Sequence, residues 1–141
     1  MSNLADVVEG AAATIKTGMG TDVLAGRTYA FGVDSPNPPC LIVLPAPEDF
    51  LDYDVTFDGR DDFRLVLKIL MGSADARTGQ AALLGYLDRT GATSVRAAVY
   101  TDPTLGGTAS DCKVTGARGY GDVEWAGVPY YGAELVVEVY G

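Results

Sequence analysis

The chain has 141 residues, of which 48% are hydrophobic and 21% are charged, so it can bury the core of one domain and is not a disordered tail. Its formal net charge is −9, which disfavours nucleic-acid binding because contacts to phosphates need clustered Lys and Arg. The sequence contains no histidine, and this excludes Ser-His-Asp and Cys-His catalysis and removes the usual general base near neutral pH.

Two cysteines, Cys40 and Cys112, lie far apart without CxxC spacing. They disfavour a zinc site and predict two buried thiols in a reducing compartment. The N-terminus has no basic region followed by a long apolar stretch, so no secretory signal is expected. No apolar run approaches the length of a membrane span. These features predict a soluble protein that starts in a cytoplasm.

A helix is predicted at the N-terminus. Ser2 or Asn3 can cap it, and Asp6 lies in its first turn, where the helix dipole favours an acid. Apolar residues recur at helical spacing between Leu4 and Ile15. The two glycines of TGMGTD are expected to end the helix.

Two strands follow, separated by a proline-rich segment. Arg27–Val33 is predicted to be a strand, and the continuous apolar run Cys40–Leu44 is predicted to be a strand buried on both faces. Five of the seven prolines lie between positions 36 and 47. We interpret them as a rigid connection with little entropy to lose, ended by Pro45, rather than as a linker or a recognition motif.

An acidic hairpin is predicted next. Asp52–Asp58 alternates strictly, with Tyr53, Val55 and Phe57 on one face and three acids and Thr56 on the other. The DGRD turn signal then leads into Asp62–Met71, which alternates again. These two segments are expected to pair.

The C-terminal half is predicted to contain two helices and then strands. Ser73 can cap a helix in ADARTGQAALLGYLDRTG, and Thr93–Tyr100 fits a short helix. The buried stripe expected for the first of these helices comprises Ala76, Gln80, Leu83, Leu84 and Leu87. Two or three strands follow from Cys112 to the end, and GARGYGD is interpreted as a hairpin turn.

The order of elements predicts one domain over residues 1–141, of the α+β class. Its sheet is expected to be largely antiparallel or mixed, with two main helices packed on one face.

The acids concentrate in one segment, with seven of them against the single base Arg60 over fifteen residues, a net −6 of the chain's −9. These acids are Glu48, Asp49, Asp52, Asp54, Asp58, Asp61 and Asp62. The pattern Asp54-x-Thr56-x-Asp58 resembles the start of a calcium loop, but its twelfth position is Leu65 instead of a bidentate Glu. The favoured interpretation is one solvated face of an edge hairpin.

Other chemistry is not indicated. Glycoside hydrolysis needs one carboxyl group set apart in a cleft, and nothing singles one out, since the adjacent Asp61 and Asp62 would point to opposite faces of a strand. Neither glycine-rich segment has a phosphate-loop pattern. The aromatic side chains near Tyr120, Trp125 and Tyr130 lack a basic groove for stacking bases. We therefore predict no catalytic residue, no cofactor and no metal, and thus a protein that is not an enzyme.

A family resemblance rests on motifs in a fixed order. From Tyr53 to Gly107, an acidic-aromatic strand leads to RxD at Arg60–Asp62, then SADAR, LxxYLDRTG, SVRAAVYTD and LGG. The late Tyr120-Gly121 pair and the earlier NPPCLIVLP complete the pattern. This order resembles the tail terminator proteins of bacteriophages with long, non-contractile tails, especially those of actinobacterial hosts.

The resemblance implies a structural virion protein assembled in the bacterial cytoplasm. Six copies would form a ring that caps the tail tube, stops its polymerisation and meets the head-completion or connector proteins, with DNA passing through the lumen and no membrane contact. A head–tail connector or stopper is the alternative within this class, and a small acidic ligand-binding or carboxylate-dependent enzyme domain is the alternative outside it.

Two sets of residues follow as site predictions. We expect the acidic hairpin to face the lumen, where like charge repels DNA within a Debye length of ~8–10 Å; its residues are Asp52, Asp54, Asp58, Asp61 and Asp62. A ring also needs one patch that meets a different patch on the next copy. Exposed apolar and aromatic side chains are the candidates for that contact, namely Leu105, Trp125, Tyr130 and Tyr131.

Overall fold

The computed structural model describes residues 3–32, 37–57, 59–72 and 76–141, with the backbone alone for 76–79. Three α-helices occur in these residues: α1 (Leu4–Met19), α2 (Ala76–Leu87) and α3 (Val95–Val99). The strands are β1 (Thr28–Ala30), β2 (Cys40–Pro45), β3 (Leu51–Asp52), β4 (Asp62–Met71), β5 (Asp111–Trp125) and β6 (Val128–Tyr140). The predicted α+β class, with a mixed sheet and two main helices, is confirmed.

The sheet has the strand order β1-β2-β4-β6-β5. β1 runs parallel to β2, whereas the other pairs are antiparallel. The two-residue β3 pairs with the start of β4, on the same side of β4 as β2. β1 and β5 are therefore the edge strands, and β4 and β6 form the centre.

The N-terminal helix forms as the sequence predicts. Asn3 caps α1, its side-chain oxygen accepting a hydrogen bond of 2.9 Å from the backbone N–H of Asp6. The helix ends at Met19, because Gly20 adopts a positive φ of 63°. A 3-10 helix at Val23–Arg27, which the sequence analysis did not predict, then leads into β1.

All three helices cover one face of the sheet. Alternate residues of β4, from Phe63 to Met71, point into the core that the helices close. On β6, Leu135, Val137 and Val139 do the same, which confirms the alternation seen in the sequence. Period-2 alternation is therefore a correct guide to the core-facing residues of β4 and β6.

The opposite face holds a smaller apolar cluster at one end. Cys40, Ile42 and Leu70 are fully buried there, and Trp125 and Tyr130 pack against them. Because the last two side chains come from the far half of the β5–β6 hairpin, that half folds back over this face of the sheet. The burial of Cys40–Val43 confirms that β2 is covered on both faces.

The bend in the hairpin arises from glycines inside β5. The register between β5 and β6 shifts between Arg118 and Gly121, and both Gly119 and Gly121 have positive φ angles, 67° and 129°. The prediction that GARGYGD forms a hairpin turn is wrong, since the turn comes later, at Ala126-Gly127. Positive-φ glycines serve bulges as well as turns, so composition alone does not separate the two.

Both cysteines are buried and free, as predicted. Cys112 belongs to the core under the helices, and Cys40 belongs to the cluster on the opposite face. Burial raises the pKa of each thiol to about 11. The two side chains therefore remain neutral thiols at physiological pH.

The buried stripe of α2 differs from the predicted one. Leu83 and Tyr86 are buried, whereas Leu84 and Gln80 are exposed. The prediction omitted Tyr86, whose hydroxyl donates a hydrogen bond of 3.0 Å to Asp22 Oδ1. Ser73 and the side chain of Ala76 lie outside the described residues. The buried face of α2 thus contains Tyr86, with its polar partner, in place of the expected Leu84.

We expect Tyr86→Phe to lower the free energy of unfolding by about 1–2 kcal/mol, because the hydrogen bond from Tyr86 to the Asp22 carboxylate is lost. Asp22 also accepts the backbone N–H of Leu24 at 2.9 Å, so the change loosens the cap of the 3-10 helix. Urea denaturation would measure it. Tyr53→Phe, at a side chain 73% exposed, is the matched control and should have no effect; equal midpoints for both variants would contradict the prediction.

Candidate functional site

The acidic segment, residues 48–62, extends from one end of the sheet and is called the acidic loop below. Its predicted hairpin is confirmed only at the base, where Leu51 and Asp52 pair with Phe63 and Asp62. Beyond Asp52 the strand ends, and a backbone hydrogen bond of 2.7 Å from the Val55 N–H to Arg60 O closes the loop.

The strand predicted over Asp52–Asp58 is wrong beyond Asp52, where β3 ends. Tyr53, Val55 and Phe57 are all exposed, and Phe57 is fully so. Asp54 has a positive φ of 53°, which breaks the extended geometry that would have placed the three side chains on one face of a strand. The tip of the acidic loop, Tyr53–Phe57, therefore presents apolar side chains to solvent.

Arg64 compensates part of the negative charge at the base of the loop. Its guanidinium lies 2.7 Å from Asp52 Oδ2 and 3.5 Å from Glu138 Oε1, and it donates a hydrogen bond of 2.6 Å to Asp49 O. The hydrogen bond with Asp52 is the largest of the effects that raise the pKa of Arg64. The Asp52 carboxylate is therefore paired with Arg64 and is not an uncompensated negative charge.

The remaining predicted lumen residues fall into different settings. The Asp61 carboxylate accepts the backbone N–H of Asp54 at 2.9 Å. Asp62 opens β4 opposite Tyr140, and its Oδ1 is buried without a hydrogen-bond partner among the described residues. The side chain of Asp54 is exposed, and Asp58 lies outside the described residues. The described acids thus do not form one flat strand face, and the placement of the whole set towards a lumen stays a prediction.

The calcium interpretation gains no support from this geometry. The segment that begins at Asp54 lies between β3 and β4, whereas a calcium loop of the EF-hand type lies between helices. Within the residues that the structure describes, no group of three or more Cys, Asp or Glu side chains could hold a metal ion.

Leu105 is wrong as an exposed interface residue. It is 1% exposed and belongs to the core beneath the helices, although its φ is positive at 52°. The apolar side chain is buried because the loop around it turns inward over α1. Its carbonyl oxygen would lie only 2.3 Å from a Cβ atom added at Gly10.

The three predicted aromatic contacts lie on the folded-back hairpin. Trp125 and Tyr130 are half-buried in the cluster on the second face of the sheet, and the Lys68 ammonium lies 5.5 Å from the centre of the Trp125 ring. Tyr131 packs edge-to-face on Tyr120, with 5.4 Å between ring centres. A hydrogen bond with Tyr120 is the main cause that raises the pKa of Tyr131 to about 12. These side chains have intramolecular partners, and their role between subunits stays a prediction.

The structure brings together a second charged site that the sequence analysis missed. A groove of about 230 Å³ lies between the end of α2, α3 and the edge strand β5, and we call it the arginine groove. The residues that line it are Leu87, Arg89, Arg96, Val114, Thr115, Gly116, Ala117 and Leu135. The available signal was the pair Arg89 and Arg96, which flank the break between the two predicted helices.

The two arginines of this groove have no acidic partner among the described residues. Arg96 donates a hydrogen bond of 3.3 Å to Arg89 O, and its guanidinium lies 4.7 Å from the centre of the Tyr100 ring. These contacts hold Arg96 in place but leave its charge uncompensated, and the Arg89 side chain is exposed. The groove therefore offers positive charge beside a lining of mixed polar and aliphatic groups.

Another groove, of about 280 Å³, lies between α1 and the loop that follows α3. Asp102, the one charged residue among the described residues that line it, accepts hydrogen bonds from the backbone N–H groups of Thr104 and Gly106 and from the Thr104 hydroxyl. These bonds, above all the one from the hydroxyl, lower the pKa of Asp102. The carboxylate thus stabilises its own turn.

Scanned against models of known protein families, the chain finds no match, and a search of curated proteins finds no relative either. The described helices include none with the length and apolar character needed to cross a membrane.

Proposed function

We propose that the protein is a structural virion protein, a tail terminator whose copies form a ring at the end of a phage tail tube. The order of motifs from Tyr53 to Gly107 supports this proposal, as does the α+β fold with both main helices on one face of the sheet. In this role the ring stops polymerisation of the tube and offers its other face to the head-completion or connector proteins.

The observation that carries the proposal furthest is the acidic loop. It exposes aromatic side chains at its tip and carries a net −6 within fifteen residues. Exposed aromatic side chains on a loop are typical of a contact surface, because their burial against a partner removes apolar area from water. A structural protein that works by contact with copies of itself and with other virion proteins needs such a surface.

The acidic charge also suits the passage of DNA. Six copies would repeat the segment six times around a lumen, and like charge would keep the phosphates from binding to the wall. We propose that Asp61 and Asp62, at the base of the loop, contribute to this field. Asp52 contributes less, because Arg64 lies 2.7 Å away.

Light scattering combined with size-exclusion chromatography, and electron microscopy of the same fractions, test the proposal. We expect a discrete ring of six chains of 14.7 kDa, either alone or when purified tail-tube protein is added, and we expect the added protein to stop tube growth. A ring that binds only connector proteins would favour the neck alternative. A chain that stays monomeric at all concentrations, with or without tubes, would refute the assembly role.

A further inference from the structure

We propose that the tip of the acidic loop, Tyr53–Phe57, docks into the arginine groove of a second copy of the chain. This inference rests on the proposed function, because it names the contact by which neighbouring copies join. It goes beyond that function in assigning the two surfaces, neither of which follows from the family resemblance.

The tip has the chemistry of an inserted segment. Tyr53, Val55 and Phe57 are 73%, 44% and 112% exposed, and they lie within five residues of one another. Buried aromatic anchors surrounded by polar contacts carry most of the binding energy in protein interfaces. Phe57 is the best anchor, since its ring has no cover within its own chain among the described residues.

The groove has the matching size. A cavity of roughly 150 Å³ accommodates a benzene ring, and the arginine groove measures about 230 Å³. Leu87 is its one half-buried aliphatic side chain, Val114 and Leu135 lie at its base within the core, and Thr115 and Ala117 come from the edge strand. One aromatic side chain therefore fits inside, with room left at the charged rim.

The charges of the two surfaces are complementary. The tip carries one acid, Asp54, whose side chain is exposed. Arg89 and Arg96 have no carboxylate within ion-pair distance among the described residues. Docking would place Asp54 near these arginines, and complementary charge of this kind both speeds association and fixes orientation.

The two surfaces lie apart on the molecule. The loop leaves the sheet where β4 begins and β6 ends, whereas the groove runs along β5 and the adjoining helices. No residue belongs to both, so one copy can use its loop and its groove at once, which is the heterologous contact that closed rings need. The docked loop would also cover the edge of β5 and protect it from unwanted strand pairing.

Charge-reversal and truncation variants test the contact. We expect Phe57→Ala to weaken self-association about tenfold or more, measured as the dissociation constant by analytical ultracentrifugation. Arg89→Glu should also weaken it, and a chain that carries both Asp54→Arg and Arg89→Glu should recover association, because the swapped charges attract again. Val23→Ala and Lys16→Glu, exposed positions on neither surface, are the matched controls.

The outcomes separate this inference from the proposed function. Thermal melts of each variant must match the parent chain, so that a loss of association is not a loss of folding. If the parent chain forms rings and Phe57→Ala and Arg89→Glu form them equally well, the docking contact is wrong and the terminator role stands. If the parent chain never associates, even on tail tubes, both proposals fall.

Discussion

Replacing Gly132 with alanine is expected to lower the free energy of unfolding by about 3 kcal/mol, at the upper end of the range for inserting a methyl group into a packed site. A Cβ atom at this position would lie 2.1 Å from the carbonyl oxygen of Ile69 and 3.2 Å from its carbonyl carbon. Both are backbone atoms of β4, the strand paired with β6, and they cannot move without disturbing the ladder between the two central strands.

Gly116→Ala is the matched control for this change. Gly116 lies in β5, the other strand paired with β6, and a Cβ atom there would meet no atom within 4 Å. Its stability should stay the same or rise by ~0.4–1 kcal/mol, because alanine restricts the unfolded chain. Urea denaturation of both variants measures the difference. If Gly132→Ala were as stable as Gly116→Ala, the prediction would be wrong, because β4 and β6 would then have room for a methyl group between their backbones at this position.

The elements that the sequence predicts well are those whose burial is set by immediate neighbours. β4 and β6 lie between other strands, so their core-facing residues follow the simple strand period, and the continuous apolar run of β2 matches its burial on both faces. The N-terminal helix was also predictable, because Asn3 caps it and Gly20 ends it through local backbone chemistry. Local signals of this kind do not depend on distant parts of the chain.

In the acidic loop, the alternation of residue types did not predict the structure correctly. The alternation of Asp52–Asp58 matches a strand, but a strand needs a partner along its length, and β3 finds one over only two residues. Tyr53 and Phe57 therefore stay in solvent. The sequence located the charge of this site correctly but could not show that its aromatic side chains are exposed.

The arginine groove could not be predicted for another reason. Its residues come from α2, α3, β5 and β6, so the groove exists only after these elements pack together. The burial of Leu105 could not be predicted either, because it depends on how the loop after α3 folds over α1. Sites assembled from distant segments need the tertiary structure, whereas caps and strand periods do not.

Phe63→Ala and Phe57→Ala should separate the role of the acidic loop from the stability of the sheet. Phe63 is 1% exposed in the core, with Phe50 packed edge-to-face at 6.4 Å between ring centres, so its truncation leaves a cavity and should cost about 3–5 kcal/mol. Phe57, six residues earlier and fully exposed, should change the free energy of unfolding by less than ~0.5 kcal/mol.

Denaturant unfolding of the two variants, beside their self-association, makes the comparison decisive. We expect Phe63→Ala to lower stability and Phe57→Ala to lower association only, because the first side chain supports the fold and the second is available to a partner. If Phe57→Ala destabilised the chain as strongly as Phe63→Ala, the tip would be packed within its own molecule and could not serve as a docking segment. A side chain that contacts another copy should be removable without a change in the monomer's free energy of unfolding, while its removal weakens assembly.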